Sequence, residues 1–402
     1  MSALNVFYHG DAAQPCLVGQ LALYQRKIYF EYDGEFLNKR LQLSPFLLPN
    51  KLGVQTPAAG NPWKGLFGVF NDSLPDGWGM LLMNRHLQSL GVDPRQLTQL
   101  DRLAYIGSRG MGALSYQPSK AVAESGFVVD LSELAVSAEA IYTGRSSEYL
   151  AEMAQTGGSP GGARPKVLVH IKGDNMISGD GNVPDGYEPW IVKFHAGSEA
   201  TETGRVEYAY SLMAKDAGIV MPETRLFEGE QGNAWFGIKR FDREQGKHIH
   251  MHTLAGLVDA DFRLPSLDYI DVLKITQALT HHAGDVEQTF TLMVFNVLAR
   301  NRDDHAKNFS FLMDDQGVWR LSPAYDLTFS DGINGEHTTA IAGEGKAPDQ
   351  PHMRWVGEKV GLKQKQMSNI FERVDQSIAK WDKWCDRSGV NQKSHLPWKE
   401  LC

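Results

Sequence analysis

The sequence predicts an α+β protein, in which an α/β N-terminal part with small sheets is followed by an all-helical C-terminal part. Runs of β-forming residues occur in two groups, within residues 1–120 and 145–240. From residue 250 onward, apolar residues instead recur at helical spacing. The 402 residues are enough for about two or three domains, and we predict three, 1–125, 126–245 and 246–402.

The first part is predicted to contain a hairpin and a helix. The runs LVGQLALY (17–24) and KIYFEYD (27–33) are rich in β-formers and are separated by a short polar link. Residues 76–90 carry apolar positions at helical spacing after a Pro-Asp-Gly turn. The turn-rich segment FNDSLPDGW (70–78) predicts a structured loop rather than a linker.

The second part is predicted to be a small sheet with one helix against it. KVLVHI (166–171) and EPWIVKF (188–194) read as strands, and residues 224–242 read as strand, glycine-containing turn and strand. Residues 206–219 place apolar side chains on one helical face and end at Gly218, which favours a helix stop.

The third part is predicted to be mainly helical. Residues 285–300 form an apolar helical face that leads directly into NRDDHAKN (301–308). FSFLM (309–313) and VWRL (318–321), joined by DDQG, predict a hairpin. Helical signals resume at 355–384.

Composition excludes several classes of protein. The formal net charge of −8 argues against a protein whose main task is to coat nucleic acid. No stretch approaches the roughly 18 uninterrupted apolar residues of a membrane span, and the N-terminal residues lack the pattern of a secretory signal. Cys16, Cys385 and Cys402 match no zinc spacing. We therefore expect reduced thiols in a cytoplasmic protein without membrane contact.

The segment 301–308 carries the spacing of a phosphotransfer loop. In a protein-kinase catalytic loop, a carboxylate accepts the proton of the substrate hydroxyl, and an amide oxygen five residues later binds magnesium. Asp303 and Asn308 have this separation, whereas Asp304 is four residues from Asn308. We therefore assign the base to Asp303 and treat Asp304 as secondary, with Lys307 placed to offset phosphate charge.

A second aspartate follows the predicted hairpin, in PAYDL (323–327). Kinases carry a magnesium-chelating aspartate at the corresponding point, after the catalytic loop and a short hairpin. The oxygens of Asp326 and Asn308 suit Mg²⁺, which also keeps waters and binds substrate phosphates. The alternative for Asp326 is a turn or helix-capping aspartate.

The remaining phosphate-binding candidates lie in the second part. Lys193 stands in an apolar strand, where a lysine needs solvent or a charged partner. A kinase strand lysine pairs with ATP phosphates and with a helix glutamate, for which Glu207 is the natural candidate. Glycines at 157–162 would let backbone N–H groups approach phosphate oxygens, although the stretch matches neither GxxxxGK[ST] nor GxGxxG. A solvent-facing edge lysine and a mobile surface loop are the structural alternatives.

Histidines and serines do not suggest a different chemistry. His281, His282 and His305 match no zinc-ligand spacing, and GGSPGG is only a loose echo of G-x-S-x-G. We interpret His305 as a residue that orients the loop through a hydrogen bond near the catalytic aspartate.

Taken together, the motifs resemble the HipA-like serine/threonine kinases of bacterial type II toxin–antitoxin systems. FNDSLPDGW resembles a loop of their N-terminal subdomain. The motifs shared with the rest of that family occur in the family's order: SPGGARPK (159–166), IVKF (191–194), VEYAYSLMAKDAGI (206–219), KRFDR (239–243), RDDHAKNFSF (302–311) and PAYDL.

The resemblance implies a kinase-like, two-lobed architecture that uses ATP and Mg²⁺. Asp303 would be the catalytic base, Asn308 and Asp326 would bind magnesium, and Lys193, supported by Glu207, would contact ATP phosphates together with Lys307. The phosphate-covering loop, 159–164, would include Ser159, Gly161, Gly162, Ala163 and Arg164. Autophosphorylation of Ser159 would expel this loop and inactivate the kinase.

The resemblance also implies partners. The substrate would be a protein, for which the family suggests a translation component. The chain shows no obvious helix-turn-helix, so DNA would be contacted through a helix-turn-helix antitoxin. Two alternatives stay open: a small-molecule kinase with the same centre, and a catalytically silent co-repressor that acts with a DNA-binding antitoxin.

Overall fold

Antiparallel strands build the N-terminal part of the chain. The structure, a computed structural model, describes residues 2–10, 14–120, 128–145, 150–156, 160–179, 182–195, 197, 202–229, 232–244 and 246–391. In its first 120 residues a four-stranded sheet has the order β3-β2-β1-β4. The elements are β1 (Ser2–Tyr8), β2 (Cys16–Tyr24), β3 (Lys27–Tyr32), α1 (Gly34–Asn38), α2 (Gly68–Asn71), α3 (Gly77–Ser89), α4 (Gln99–Ile106) and β4 (Leu114–Gln117).

The predicted first hairpin and helix are confirmed. β2 pairs with β3 in antiparallel register, and Tyr24 faces Lys27 across the turn. The two turn residues, Gln25 and Arg26, both have positive φ, as a two-residue hairpin turn of the type I′ class requires. Helix α3 covers the predicted span and ends one residue earlier, at Ser89.

The second part is a five-stranded antiparallel sheet of order β6-β5-β7-β9-β8. Helix α7 packs on β8 and β9, and it ends before Gly218, whose positive φ of 81° stops the helix as predicted. The elements of this part are α5 (Leu131–Tyr142), α6 (Leu150–Thr156), β5 (Lys166–Lys172), β6 (Asn175–Ser178), β7 (Glu188–Lys193), α7 (Thr203–Asp216), β8 (Thr224–Glu228), β9 (Ala234–Lys239) and β10 (Arg243–Glu244).

The third part is mainly helical, as predicted, and also carries short strands. The predicted hairpin is confirmed as β14 and β15, in which Met313 faces Trp319. Strand β12, too short to be recognised from its pattern, pairs with β14 and completes a three-stranded sheet. The elements are β11 (Lys247–His248), β12 (His250–Thr253), α8 (Leu254–Val258), β13 (Leu267–Asp268), α9 (Tyr269–Thr280), α10 (Ala283–Leu298), β14 (Ser310–Met313), β15 (Trp319–Leu321), β16 (Thr339–Ala340), α11 (Gln350–Lys359), α12 (Gln364–Ile378) and α13 (Trp381–Ser388).

Two apolar clusters organise the described residues. The larger one joins the N-terminal sheet to the C-terminal helices, with Phe30 and Phe70 on one side and Phe290 and Phe295 on the other. The second surrounds the five-stranded sheet and includes Trp190. Helix α3, although it belongs to the N-terminal part, contributes Trp78 and Leu82 to the second cluster. The division into 1–125, 126–245 and 246–402 stays a prediction.

The described helices were compared with the length and apolarity of a membrane span. Within the part of the chain that the structure describes, no helix combines the length and apolarity needed to cross a bilayer.

The KRFDR segment forms a buried ionic connection to the N-terminal part. Asp242 is fully buried and accepts hydrogen bonds from the guanidinium groups of Arg240 and Arg243, each at 2.8 Å to Oδ2. It also accepts a hydrogen bond from the backbone N–H of Gly112, while Arg243 donates to the Gly112 and Gly110 carbonyls. Burial alone would raise the pKa of Asp242, but the two arginines hold it far below its usual range.

Asp242→Asn is expected to reduce the free energy of unfolding by about 3–5 kcal/mol, because it leaves two buried guanidinium groups without their carboxylate. Urea unfolding at neutral pH measures the effect. The matched control is Asp261→Asn, which breaks an exposed pair with Arg263 and should cost less than about 1 kcal/mol. Equal effects of the two substitutions would contradict the assigned role of Asp242.

Candidate active site

The loop that follows α10 is anchored by a buried aspartate. Asp304 is 1% exposed, and its carboxylate accepts hydrogen bonds from the Tyr269 hydroxyl at 2.9 Å, His337 Nδ1 at 2.8 Å, and the backbone N–H groups of Thr338 and Thr339 at 2.9 and 3.2 Å. Four donors on one buried carboxylate fix the backbone of the loop. Asp304 is therefore a structural anchor.

Asp303 lies next to this anchor but is exposed to solvent, whereas Asp304 is buried. The backbone carbonyl of Asp303 accepts a hydrogen bond from Asn308 Nδ2 at 2.8 Å. Desolvation by the surrounding protein raises the pKa of the Asp303 carboxyl, and the nearby carboxylates of Asp326 and Asp304 also raise it, which outweighs the lowering by His305. A raised pKa makes this carboxylate a stronger proton acceptor.

Lys193 joins three elements of the cleft. From the end of β7 its ammonium makes ion pairs with Glu207 on α7 and with Asp326 in the loop after β15. The Lys193 side chain is 11% exposed and that of Glu207 is 3% exposed, so the lysine is not the solvent-facing edge residue of the alternative interpretation. Although burial alone would lower the pKa of Lys193, the two carboxylates raise it.

Asp326 is held in an unusual backbone conformation. Its φ is 55°, in the left-handed region that non-glycine residues seldom adopt. Burial alone would raise its pKa, but Lys193 and Lys166 hold it well below the usual range. The residue is therefore an ionised carboxylate aimed at cations, and not a helix cap.

The described part of the predicted phosphate loop closes over the same cavity. Gly161 and Gly162 line it, together with Lys193, Asn308 and Asp326. Arg164 donates to Glu207 Oε2 at 3.4 Å, which ties the loop to the lysine–glutamate pair. Ala163 follows Gly162 at the exposed surface. Ser159, like Gly157 and Gly158, lies outside the described residues.

Two charged residues of this site were missed in the sequence. Lys166, buried at the start of β5, donates to the Gly161 carbonyl, and its burial lowers its pKa. Asp76 reaches the site from the N-terminal part and accepts a hydrogen bond from Lys307 Nζ at 2.6 Å. Lys166 follows the glycine-rich loop in the sequence, which is a usable signal, whereas nothing local relates Asp76 to residue 307.

His305 does not make the hydrogen bond that we predicted. Its Nδ1 is buried without a hydrogen-bond partner among the described residues, and its ring packs against Phe262 at 5.6 Å between centroids. The loop is instead oriented by Asp304.

The space between the lining residues, open solvent at the mouth included, is about 970 Å³. Its polar side contains the cations and Asp326, and its other wall includes Ile191, Ile238, Phe241 and Met251. No cluster of three or more His, Cys, Asp or Glu side chains that could hold a metal occurs among the described residues. Asn308 and Asp326, which share the cavity, fit a Mg²⁺ ion that takes its other ligands from phosphates and water.

The fold and the cavity define a mixed α+β protein in which an ion-paired lysine lies between a loop carboxylate and a helix glutamate. The chain belongs to the HipA-like family. The family model of the HipA-like C-terminal domain matches residues 158–381, and that of the HipA N-terminal domain matches residues 4–117.

A solved structure has the same fold. The fold matches HipA of Shewanella oneidensis MR-1, solved in complex with HipB and its operator DNA, with a TM-score of 0.71 and 17% identity over 95% of this chain and 91% of that one. The predicted α+β fold is thereby confirmed.

Two curated relatives are similar over shorter stretches. "Putative kinase Y4dM" of Sinorhizobium fredii is 30% identical over 166 residues, which are 38% of this chain and 40% of that protein. A "Putative kinase" of Haemophilus influenzae is 28% identical over 189 residues, 43% of this chain and 53% of that protein. The chain thus spans about half the length of the curated relatives it matches.

Substitutions of the two neighbouring aspartates of the loop should differ in the size of their effect on stability. Asp304→Asn should lower the free energy of unfolding by about 3 kcal/mol, because the amide cannot accept all the hydrogen bonds of the buried carboxylate. Asp303→Asn, at an exposed position among other carboxylates, should change it by less than about 1 kcal/mol. Urea unfolding of both variants gives the comparison, and a larger loss for Asp303→Asn would contradict it.

Proposed function

We propose that this protein is an ATP-dependent serine/threonine protein kinase of the HipA type. The observation that carries the proposal is the ion-paired Lys193, which joins Glu207 to Asp326 in a cavity that Asn308 also lines. Lysine, helix glutamate, metal-binding aspartate and loop asparagine are the groups that protein kinases use to hold a nucleotide. The kinase names of two relatives point the same way.

Each residue of the site would have a separate role in phosphoryl transfer. Lys193 and Lys307 would bind phosphate oxygens, and the apolar wall formed by Ile191, Ile238 and Phe241 would receive the base. Mg²⁺ bound by Asp326 and Asn308 would neutralise the charge of the transferred phosphate. Asp303 would accept the proton of the attacking hydroxyl. Catalysis of this kind depends on positioning and on charge neutralisation more than on covalent chemistry.

The position of Asp303 favours a protein substrate over a small molecule. Its side chain is exposed, and it does not belong to the lining of the cavity that holds the other groups. A hydroxyl carried on the surface of a macromolecule can reach such a position without entering the cavity. A small substrate would need walls around the base, whereas the lining residues surround Lys193 and Asp326 instead.

An antitoxin partner is part of the proposal. The Shewanella oneidensis neighbour was solved with HipB and operator DNA, and the net charge of −8 disfavours extensive direct contact with DNA. We infer that this chain binds a helix-turn-helix partner, through which operator DNA is contacted.

Asp303→Asn should reduce transfer of labelled phosphate from ATP to lysate proteins by about 10²–10⁴-fold, because the hydroxyl proton loses its acceptor. The matched control is Asp315→Asn, in the exposed turn between β14 and β15, which should keep full activity. Both variants are first checked for unchanged unfolding.

The results separate the alternatives. Retained labelling by Asp303→Asn would remove Asp303 from its role, and label confined to small molecules would replace the protein substrate. Failure of the wild-type protein to bind Mg-ATP in calorimetry would favour the silent co-repressor.

Ser159 is proposed as the autophosphorylation site. Prolonged incubation with Mg-ATP should place phosphate on Ser159 and slow the kinase, because two negative charges in a loop designed for phosphate binding repel the nucleotide. Ser159→Ala should keep its initial rate for longer, and Asp303→Asn should stay unmodified. Mass spectrometry that finds no phosphate on Ser159 in the wild-type protein would contradict the assignment.

A further inference from the structure

The turn at residues 75–78 crosses from the N-terminal part to the phosphate loop. Asp76 accepts a hydrogen bond from the backbone N–H of Gly162 through Oδ1 and one from Lys307 Nζ through Oδ2, the latter at 2.6 Å. A single carboxylate thus joins the loop that covers the cavity to the loop that contains Asp303.

The side chain of Asp76 does not cap the helix that follows it. Asp76 is the residue before α3, where an aspartate normally accepts a hydrogen bond from the first turn. Its side chain makes no such bond. The carboxylate is directed away from its own helix, which indicates that its position serves the neighbouring loops.

The backbone of the turn fits closely against the phosphate loop. Gly77 has a φ of 37°, and a Cβ atom there would lie 2.5 Å from the Gly162 carbonyl oxygen and 2.8 Å from Ala163 Cα. Such approach is possible only for glycine. The N–H of Trp78 donates to the same Gly162 carbonyl at 3.1 Å.

Trp78 and Asp72 fix the two ends of this connection. The buried Trp78 ring belongs to the cluster around the five-stranded sheet, and its Nε1 donates to the Lys166 carbonyl at 3.1 Å. Asp72 accepts hydrogen bonds from the N–H and hydroxyl of Thr253 at 2.7 and 2.8 Å. Trp78 therefore attaches the segment to β5, and Asp72 attaches it to β12. Asp76 lies between these two attachment points in the sequence.

The electrostatics of Asp76 agree with a fixed bridge. Burial alone would raise its pKa, but Lys307, the Gly162 N–H and Lys166 lower it. The carboxylate is ionised at neutral pH and lies between two cations. The ammonium of Lys307 has three donors, so contact with Asp76 leaves two for phosphate.

We propose that Asp76 is a positioning residue of the nucleotide site, which holds the backbone at Gly162 over the cavity and aims Lys307 at the phosphates of the bound nucleotide. This inference rests on the proposed function. The N–H of Gly162 is committed to Asp76, so the phosphates are contacted by its neighbours in the loop and by the lysines. The N-terminal part is then a component of the catalytic machinery.

The opposite arrangement is physically distinct. Asp76 could occupy a phosphate position and be displaced by the nucleotide, as an inhibitory carboxylate. Removing its charge would then tighten nucleotide binding. If Asp76 positions the loop, removing its charge should instead weaken nucleotide binding. The loop would then have to be ordered at the moment of binding, and the free-energy cost of ordering it lowers the affinity.

The test uses the full chain and the isosteric variant Asp76→Asn, which still fills the space but cannot accept a hydrogen bond from Lys307 through its amide nitrogen. We expect the KM for ATP and the Kd of Mg-ATP in calorimetry to rise about tenfold, which is the loss of one charge-assisted hydrogen bond, with kcat changed less than about threefold. Hydrogen exchange at the Gly162 amide should accelerate in the nucleotide-free variant. Glu35→Gln, at an exposed position in α1, is the control and should change none of these.

A double-variant cycle tests whether Asp76 acts through Lys307. Lys307→Met should weaken ATP binding strongly in the wild-type background and clearly less in the Asp76→Asn background. Additive effects would overturn the part of the proposal that concerns Lys307. A change confined to thermal stability, with ATP affinity and exchange unaltered, would overturn the proposal as a whole.

The remaining outcomes separate this inference from the proposed function. Tighter ATP binding by Asp76→Asn would overturn positioning in favour of competition. Faster exchange at Gly162 with unchanged KM and Kd would also overturn it, while the wild-type kinase remained intact. Wild-type protein that neither binds Mg-ATP nor transfers phosphate would refute the proposed function, and this is seen before any variant is measured.

Discussion

The ion pairs of Lys193 are the contact on which the candidate site depends. A nearly buried ammonium requires compensating charge, and here it comes from two elements far apart in the sequence, α7 through Glu207 and the loop after β15 through Asp326. The strained φ of Asp326 is compatible with this requirement, because the contact to the lysine over-determines the position of the loop. Sheet, helix and loop are thus held in register by one side chain.

Adjacent aspartates in the same loop show how surroundings decide a residue's role. Asp304 is buried with four hydrogen-bond donors, so its carboxylate is committed to structure. Asp303 is exposed, and the structure raises its pKa. The buried anchor and the exposed acceptor are neighbours, so that the backbone fixed by Asp304 holds the Asp303 carboxylate in position.

Local chemistry made much of this protein predictable. The first hairpin, helices α3, α7 and α10, and the β14–β15 hairpin follow from periodicity and turn residues, which act within a few positions along the chain. The pairing of Lys193 with Glu207 was predictable for a related reason, since a lysine in an apolar strand needs a carboxylate and the next helix begins with one. Strand β12 was not, because its four residues form a strand only through pairing with β14.

The unpredicted part of the site consists of contacts between distant segments. Asp76 and Lys307 are separated by 231 residues, and no spacing rule relates them. We predicted an orienting role for His305 because histidines often orient catalytic groups. The buried side-chain donors that bond to Asp304 in this loop are Tyr269 and His337 instead. The sequence shows which residues can carry charge. Which of them lie together in the site depends on how the folded chain buries them.

Asp242, Asp72 and Asp76 are among the residues that connect the N-terminal part to the rest of the protein. Asp242 receives the Gly112 N–H, Asp72 receives Thr253, and Asp76 receives Lys307. Each of these carboxylates is mostly shielded from water, so each contact requires close geometric fit and is costly to break. A docking surface that could release the N-terminal part would be expected to use exposed pairs, which are individually weak. The shared apolar cluster between the N-terminal sheet and the C-terminal helices adds the same constraint. The shape of the cleft therefore depends on contacts that the N-terminal part makes with the rest of the protein.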